Sequence, residues 1–466
     1  MSRLLLMALL AAISGCTLGP DYKPPVFQHN EQWHSESMIK SEGKQPAEGS
    51  LWWQQFNDPL LAGLITQTMQ GNRDLAVALA NIERAKGLRR EVAAGYLPTL
   101  DAGGSASRSR YSRQTGFGAN TGTRSTFSAA LDASWELDLF GRTRRSVEAA
   151  DAQIEGTQAA RQALMLSLTA EVAVSYFELR GLQRQMQMTM RDIELLKEVE
   201  EIAQARAELG VASDMDQSQA RGERENIEAG LPNLQAEITA RIYRISVLTG
   251  QAPEFYAATL KQDRPLPVVT DRVPVGLRSQ MLKRRPDVRQ AERELAAATA
   301  TIGVARANMF PSFSLTGSAG SSARVFTDLF TPATLTRSIG ALLNWPLFAG
   351  GALSAGVDIA EADTQAALAR YEQSVLLALE DAESALMRYA SEWQTLKRLR
   401  AAEASRKHAY EIARLRYEAG QDTFLLMLDA ERALITTRNN VVSSETRVLT
   451  TLAQLYKALG GAWQPA

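Results

Sequence analysis

The sequence predicts an α+β membrane protein built as two similar halves. Four β-strands per chain join those of sister copies in an outer-membrane barrel, and long helices make up most of the rest. Three observations carry this expectation: an N-terminal signal of lipoprotein type, a helix-to-strand passage through proline made twice, and two long proline-free helical runs that each stop at a glycine turn. The repeated passage reads "AGYLPTLDAGGS" (Ala94 to Ser105) and "ANMFPSFSLTGS" (Ala307 to Ser318), with Pro98 and Pro311 213 residues apart (311 − 98). Repetition on that scale makes one architecture from two copies of a unit.

The chain has 466 residues, with 51 basic and 52 acidic side chains. So even a balance gives no basic footprint for nucleic acid. The single cysteine excludes an intramolecular disulfide, and three scattered histidines are too few for a metal cluster. At the start, "MSRLLLMALLAAISGC" carries Arg3, an apolar run from Leu4 to Ile13 and small residues. That is a secretory signal, too short to span a membrane as a helix. "ISGC" resembles a bacterial lipobox, so residues 1–15 are expected to be removed and Cys16 to carry a covalent lipid, palmitate among its acyl chains. Thr17, rather than aspartate, follows, which resembles the outer-membrane sorting pattern. Residues 16–57 read as a lipidated extended arm, from the prolines of "TLGPDYKPP" to Trp52, Trp53 and Phe56, whose aromatic rings are expected to anchor it.

The first half is placed at 58–250 and the second at 286–461, with a proline-rich linker at 251–285 and a tail at 462–466. Each half opens with a helix, about Pro59 to Tyr96 and Pro286 to Met309. Proline biases its predecessor away from the helical region, so both helices end at the quoted passage. A β-hairpin follows, at 99–140 and 312–349. In "FSAALDASWELDL" one face carries Phe127, Ala129, Leu131, Ala133, Trp135, Leu137 and Leu139; the other carries Asp132, Glu136 and Asp138. Strict alternation marks a strand with unlike faces. Helical hairpins follow at 141–250 and 350–459, their first arms roughly 100 Å long at the α-helical rise. They turn at Gly210 and Gly420, where glycine suits a helix end. Pro232 should kink the first returning helix near Ala229.

Hairpins with one apolar and one polar face suit either a soluble sandwich or a membrane barrel. Strand lengths near ten residues and the lipoprotein signal favour the barrel. Four strands leave two open edges, and open edges are not tolerated in hydrocarbon. Two, three or four copies of the chain would close the sheet. Asp132, Glu136 and Asp138 would face a wet lumen, and Trp135 and Trp345 an interfacial aromatic belt.

"RPDVRQAERELAAATATIGVARANMFPSFSLTGSAG" (Arg285 to Gly320), "WWQQFNDPLL", "WELDLFGR", "LDAER" and "YKALGGAW" together resemble the bacterial outer-membrane efflux proteins, the TolC-like ducts, in the lipoprotein branch that serves RND-type pumps and multidrug resistance. The resemblance implies a homotrimer with a twelve-stranded barrel continued by a periplasmic α-helical coiled-coil barrel. It implies a periplasmic adaptor (membrane fusion protein) and an inner-membrane RND-type transporter as partners, with outer-membrane lipid around the barrel and no nucleic acid. It implies a passive exit duct with no cofactor beyond the lipid on Cys16. In "YEAGQDTFLLMLDAER" it places Leu425 and Asp429 in rings that close the periplasmic gate, Tyr417 in a latch between helices, and the turns at Gly210 and Gly420 at the adaptor-facing tip. Glu418 stands where relatives often carry arginine.

Two other readings are weaker. Acidic pairs such as Glu380 and Asp381, or Glu200 and Glu201, lie adjacent on helices and point apart, with no nucleophile–base set beside them. A lipid-tethered coiled-coil scaffold would need its hairpins to pair in a soluble sandwich.

Overall fold

The computed structural model describes residues 17–27, 30–35, 40–41, 51–111, 122–210, 213–268, 272–273 and 276–461. The expected signal segment, Cys16 and the tail 462–466 lie outside them. In chain order the elements are β1 (Lys40–Ser41), α1 (Pro59–Gly71), α2 (Arg73–Ala93), β2 (Thr99–Tyr111), β3 (Gly122–Leu137), α3 (Arg142–Glu208), α4 (Asp214–Glu228), α5 (Leu231–Leu248), α6 (Ala257–Leu260), β4 (Arg272–Val273), α7 (Arg278–Arg284), α8 (Pro286–Ala307), β5 (Ser312–Ala323), β6 (Leu335–Asn344), α9 (Ala352–Glu418) and α10 (Phe424–Ala458). They fall into two compact units.

One unit comprises the described part of Met1–Val26, with Ala80–Gln158 and Gln290–Glu372. Its centre is a four-stranded antiparallel sheet in the order β2-β3-β5-β6, so β2 and β6 are open edges. Residues directly opposed across antiparallel strands share a face. The register sets Leu100 against Ala133, Ala102 against Leu131 and Ala106 against Phe127. It continues with Leu131 against Ala319, Trp135 against Leu315, Leu137 against Phe313, and Phe313 against Leu343. The other face runs Asp101, Asp132, Ser318, Ser338 across all four strands, with Ser105 opposite Ser128. The unlike faces seen along each strand are therefore held in register across the whole sheet.

The two strand–helix passages use the same hydrogen bond. Trp135 donates from Nε1 to the carbonyl of Tyr96 at 3.0 Å, and Trp345 to that of Met309 at 3.2 Å. Each acceptor lies two residues before its proline. Asp138, placed by its alternation on the lumen face, lies beyond the end of β3 and accepts from the backbone N–H groups of Thr143 and Arg144 at 3.0 and 2.9 Å. Its carboxylate caps the start of α3, where unpaired N–H groups and the helix dipole favour an anion. Glu136 is held by Arg142 at 2.6 Å. Beside them Arg145, with 4% of its side chain exposed, pairs with Asp21 and Glu148 at 2.7 Å and donates to the carbonyls of Leu18 and Gly19. The arm crosses Gly303 so closely that a Cβ there would lie 2.7 Å from the Leu18 carbonyl oxygen. A basic residue at a helix start, Arg145 is the buried clamp of the arm.

The second unit comprises Phe27–Leu79, Ala159–Arg289 and the described part of Gln373–Ala466. Trp52, Trp53 and Phe56 sit in a buried 3₁₀ turn, with Trp52 stacked on Tyr456 at 5.3 Å. They belong to the main core, with Tyr176, Phe177, Ile242, Ile245, Tyr389 and Leu452. The single helix expected from Pro59 to Tyr96 is two, because Asn72 breaks it. The Asn72 Oδ1 accepts from the N–H groups of Asp74 and Leu75 while its amide donates to Leu248 O at 2.9 Å. Asn72 thereby ends one helix and caps the next. Pro232 enters at the first turn of α5 after a break at Ala229 and Gly230, where its missing N–H costs nothing. The segment between the halves carries structure of its own: α6, α7, and β4 paired in parallel with β1.

Candidate functional site

The far ends of α3 and α9 share one capping chemistry. Gly210 and Gly420 adopt φ of +73° and +71°, a region that other residues enter at a cost. At the second, Gly420 donates to Tyr417 O and Gln421 to Arg416 O, so backbone N–H groups reach the last carbonyls of the helix. Below the turns lies a second core of Leu196, Val199, Ala203, Ala220, Tyr417, Phe424, Met427 and Leu428.

Tyr417 is 5% exposed. Its ring meets Phe424 at 5.6 Å and carries the Arg206 guanidinium 4.6 Å from its centre. Arg206 also donates to the Tyr417 carbonyl at 3.0 Å. Burial pushes the phenol pKa up, and its hydroxyl has no hydrogen-bond partner. Arg206 of α3 thus brings a cation to the Tyr417 ring, while Glu418 pairs with Arg414 at 2.8 Å on its own helix. Nothing in the spacing of α3 marks Arg206; only helix packing brings it to Tyr417.

Leu425 and Asp429 stand one turn apart on the outer face of α10, so they are neighbours on one surface. Leu425 is 49% exposed, whereas Phe424, Met427 and Leu428 around it are buried. Asp429 is solvated, with Arg432 at 3.8 Å. Arg432 in turn holds Glu223 of α4 at 2.6 Å. Further along, Glu200 accepts from Arg221 and Arg224 at 2.9 Å each, which holds its carboxyl below the usual range.

Two residues from Asp429, Glu431 points inward. It is 3% exposed, and one of its carboxylate oxygens has no donor. Asp192 of α3, also 3% exposed, faces it with one unpaired oxygen of its own, and Arg438 lies 3.7 Å from Asp192. Burial first, then the charges of Asp192 and Glu223, push Glu431 up to about 7, against the opposing pull of Arg414 and Arg438. Burial likewise raises Asp192. The "LDAER" motif contains Glu431, but its periodicity does not separate a buried glutamate from a solvated one.

The profile of the family described as "Outer membrane efflux protein" matches twice, over residues 64–251 and 277–461. The chain belongs to the outer membrane efflux protein family. It is 33% identical over 467 residues to the probable efflux pump outer membrane protein TtgC of Pseudomonas putida, covering 99% of this chain and 96% of that one. It is 30% identical over 461 residues to the solvent efflux pump outer membrane protein SrpC of the same species, covering 98% and 97%. Among solved structures, the outer-membrane channel OprN superposes with a TM-score of 0.90 at 36% identity, covering 97% of this chain and 100% of that one. The open state of the Neisseria gonorrhoeae MtrE channel superposes at 0.84 with 29% identity, covering 96% and 98%.

As a member of this family the protein is a transport duct of an efflux system and not an enzyme. It resides in the outer membrane and extends into the periplasm. The two matched segments overlap the halves expected at 58–250 and 286–461 but start at other residues.

Proposed function

We propose that three copies of this chain close a twelve-stranded barrel and form a lipid-anchored exit duct, gated at its periplasmic end by Leu425, Asp429 and Tyr417. The observation that carries the reading is the sheet register: two open edges, a mainly apolar face that runs from Leu137 to Phe127 on β3, and a polar face opposite it. Open edges call for partner strands, and the unlike faces suit lipid outside and water inside. Asp132 and Glu136 then line the lumen, and Trp135 and Trp345 lie at the inner membrane–water interface. The clamp supports lipidation of Cys16, because Arg144 donates to the Thr17 hydroxyl and Arg145 holds Leu18 and Asp21 at the start of α3. A lipid at Cys16 would there have the bilayer beside it.

At the tip, the exposed pair Leu425 and Asp429 suits a ring that narrows the axis, with Tyr417 held by Arg206 as the latch. The turns at Gly210 and Gly420 form the surface offered to a periplasmic adaptor, and through it to an inner-membrane RND-type transporter. The relative SrpC belongs to a solvent efflux pump, and cargo of that kind suits a wide polar lumen. Gel mobility of the detergent-extracted protein with and without boiling tests the barrel. A heat-sensitive trimer band that persists in Cys16→Ala supports it; a monomer soluble without detergent refutes it. Lipidation is read separately, as loss of acyl mass in Cys16→Ala.

A further inference from the structure

The apolar face of the sheet does not stay apolar along its length. On β3 it runs from Leu137 to Phe127, ten residues (137 − 127). At about 3.4 Å per residue and a tilt near 40°, that is roughly 26 Å of height, close to the apolar band of an outer-membrane barrel. Beyond Phe127 the same face changes character. The next rung sets Arg108 against Ser125, and the one after sets Arg110 against Thr123. Each rung adds about 5 Å of height on the same geometry. On β6 the same face carries Arg337, eight residues (345 − 337) and so about 21 Å from Trp345. Arg108, Arg110 and Arg337 are exposed, and none makes a hydrogen bond or ion pair among the described residues.

An arginine on the lipid face costs about 2–4 kcal/mol at the bilayer midplane and little near the headgroups. Three cations gathered toward the loop end of that face, with no anion of their own, are therefore matched by charge to the headgroup layer. Guanidinium groups two residues apart on one face, with hydroxyls directly across the strand pair, suit the bidentate geometry of phosphate oxygens.

We propose that Arg108 and Arg110, with Ser125 and Thr123 across the strands, bind the phosphate groups of an anionic phosphorylated glycolipid headgroup in the outer leaflet, with Arg337 adding charge on the same face. This rests on the barrel reading above. The site orients the barrel's loop end toward that leaflet, and three copies of the chain present three such sites.

The test uses the intact detergent-purified protein and diphosphoryl lipid A as probe, with bound lipid counted by native mass spectrometry. The parent binds diphosphoryl lipid A, and binds chemically dephosphorylated lipid A at least tenfold more weakly. Arg108→Gln with Arg110→Gln lowers binding of the diphosphoryl form at least tenfold. The same charge change on the helix, Arg84→Gln with Arg90→Gln, leaves it unchanged. Arg108→Lys with Arg110→Lys retains part of the binding, which separates lost charge from lost folding. Equal binding by the parent and the Arg108/Arg110 glutamine variant overturns the site. Displacement by equimolar inorganic phosphate also overturns it, in favour of a free-anion site. A heat-sensitive trimer band is read on every sample: if the parent lacks it, the barrel has failed, whereas a trimer that ignores lipid phosphate refutes this site alone.

Discussion

Glu431 places a titrating group inside the helical tip, where burial makes its charge costly. The four elements around it present Asp192 from α3, Glu223 from α4, Arg414 from α9 and Arg438 from α10 itself. Its folded pKa of about 7 stands above the unfolded 4.5. Between those values the folded tip keeps a proton that the unfolded chain releases, so stability falls as pH rises through this window. Above pH 7 the full cost is present, about 3 kcal/mol for this shift; below pH 4.5 it is absent. Glu431→Gln keeps the shape and removes the charge. Amide hydrogen exchange of α10 around Glu431 and α3 around Asp192 reads the local opening free energy. The variant's protection relative to the parent should increase by about 2–3 kcal/mol from pH 5 to pH 8, on the order of a hundredfold in exchange rate. Comparing the two pH values removes any fixed difference between the side chains. A ratio that is flat with pH, or that increases toward acid, refutes the reasoning.

Arg206→Ala removes both the cation over the Tyr417 ring and the hydrogen bond to its carbonyl, and should raise the open probability of single channels in planar bilayers; unchanged traces would remove Arg206 from the latch. Asp138→Ala deprives α3 of its cap, a loss of ~1 kcal/mol, visible as roughly fivefold faster exchange at the Thr143 and Arg144 amides. Were Asp138 a lumen charge instead, conductance would change and those amides would not. Arg145→Met leaves the carbonyls of Leu18 and Gly19 without their donor, a cost of about 1–3 kcal/mol, so chymotrypsin should cut after Tyr22 about tenfold faster. An arm as resistant as the parent's would show that other contacts hold it.

What the sequence determined was periodic. Alternation with period two separated the faces of β3 and β5, and prolines and glycines marked where helices yield to strands and turns. Those signals are local: a residue's own φ, its missing N–H or its alternate neighbours produce them, so they survive without the fold. Asn72 went unread because a short polar residue within a helical pattern looks solvated until Leu248 O arrives to take its amide proton. The same holds for Arg145, Arg206 and Glu431. Each is a charged residue on a helix whose burial is decided by what packs over it: the arm, the ring of Tyr417, and the opposing Asp192. Only the tertiary structure fixes those approaches. Desolvation and charge pairing depend on distances between elements far apart in the chain, and no spacing along a single helix encodes them.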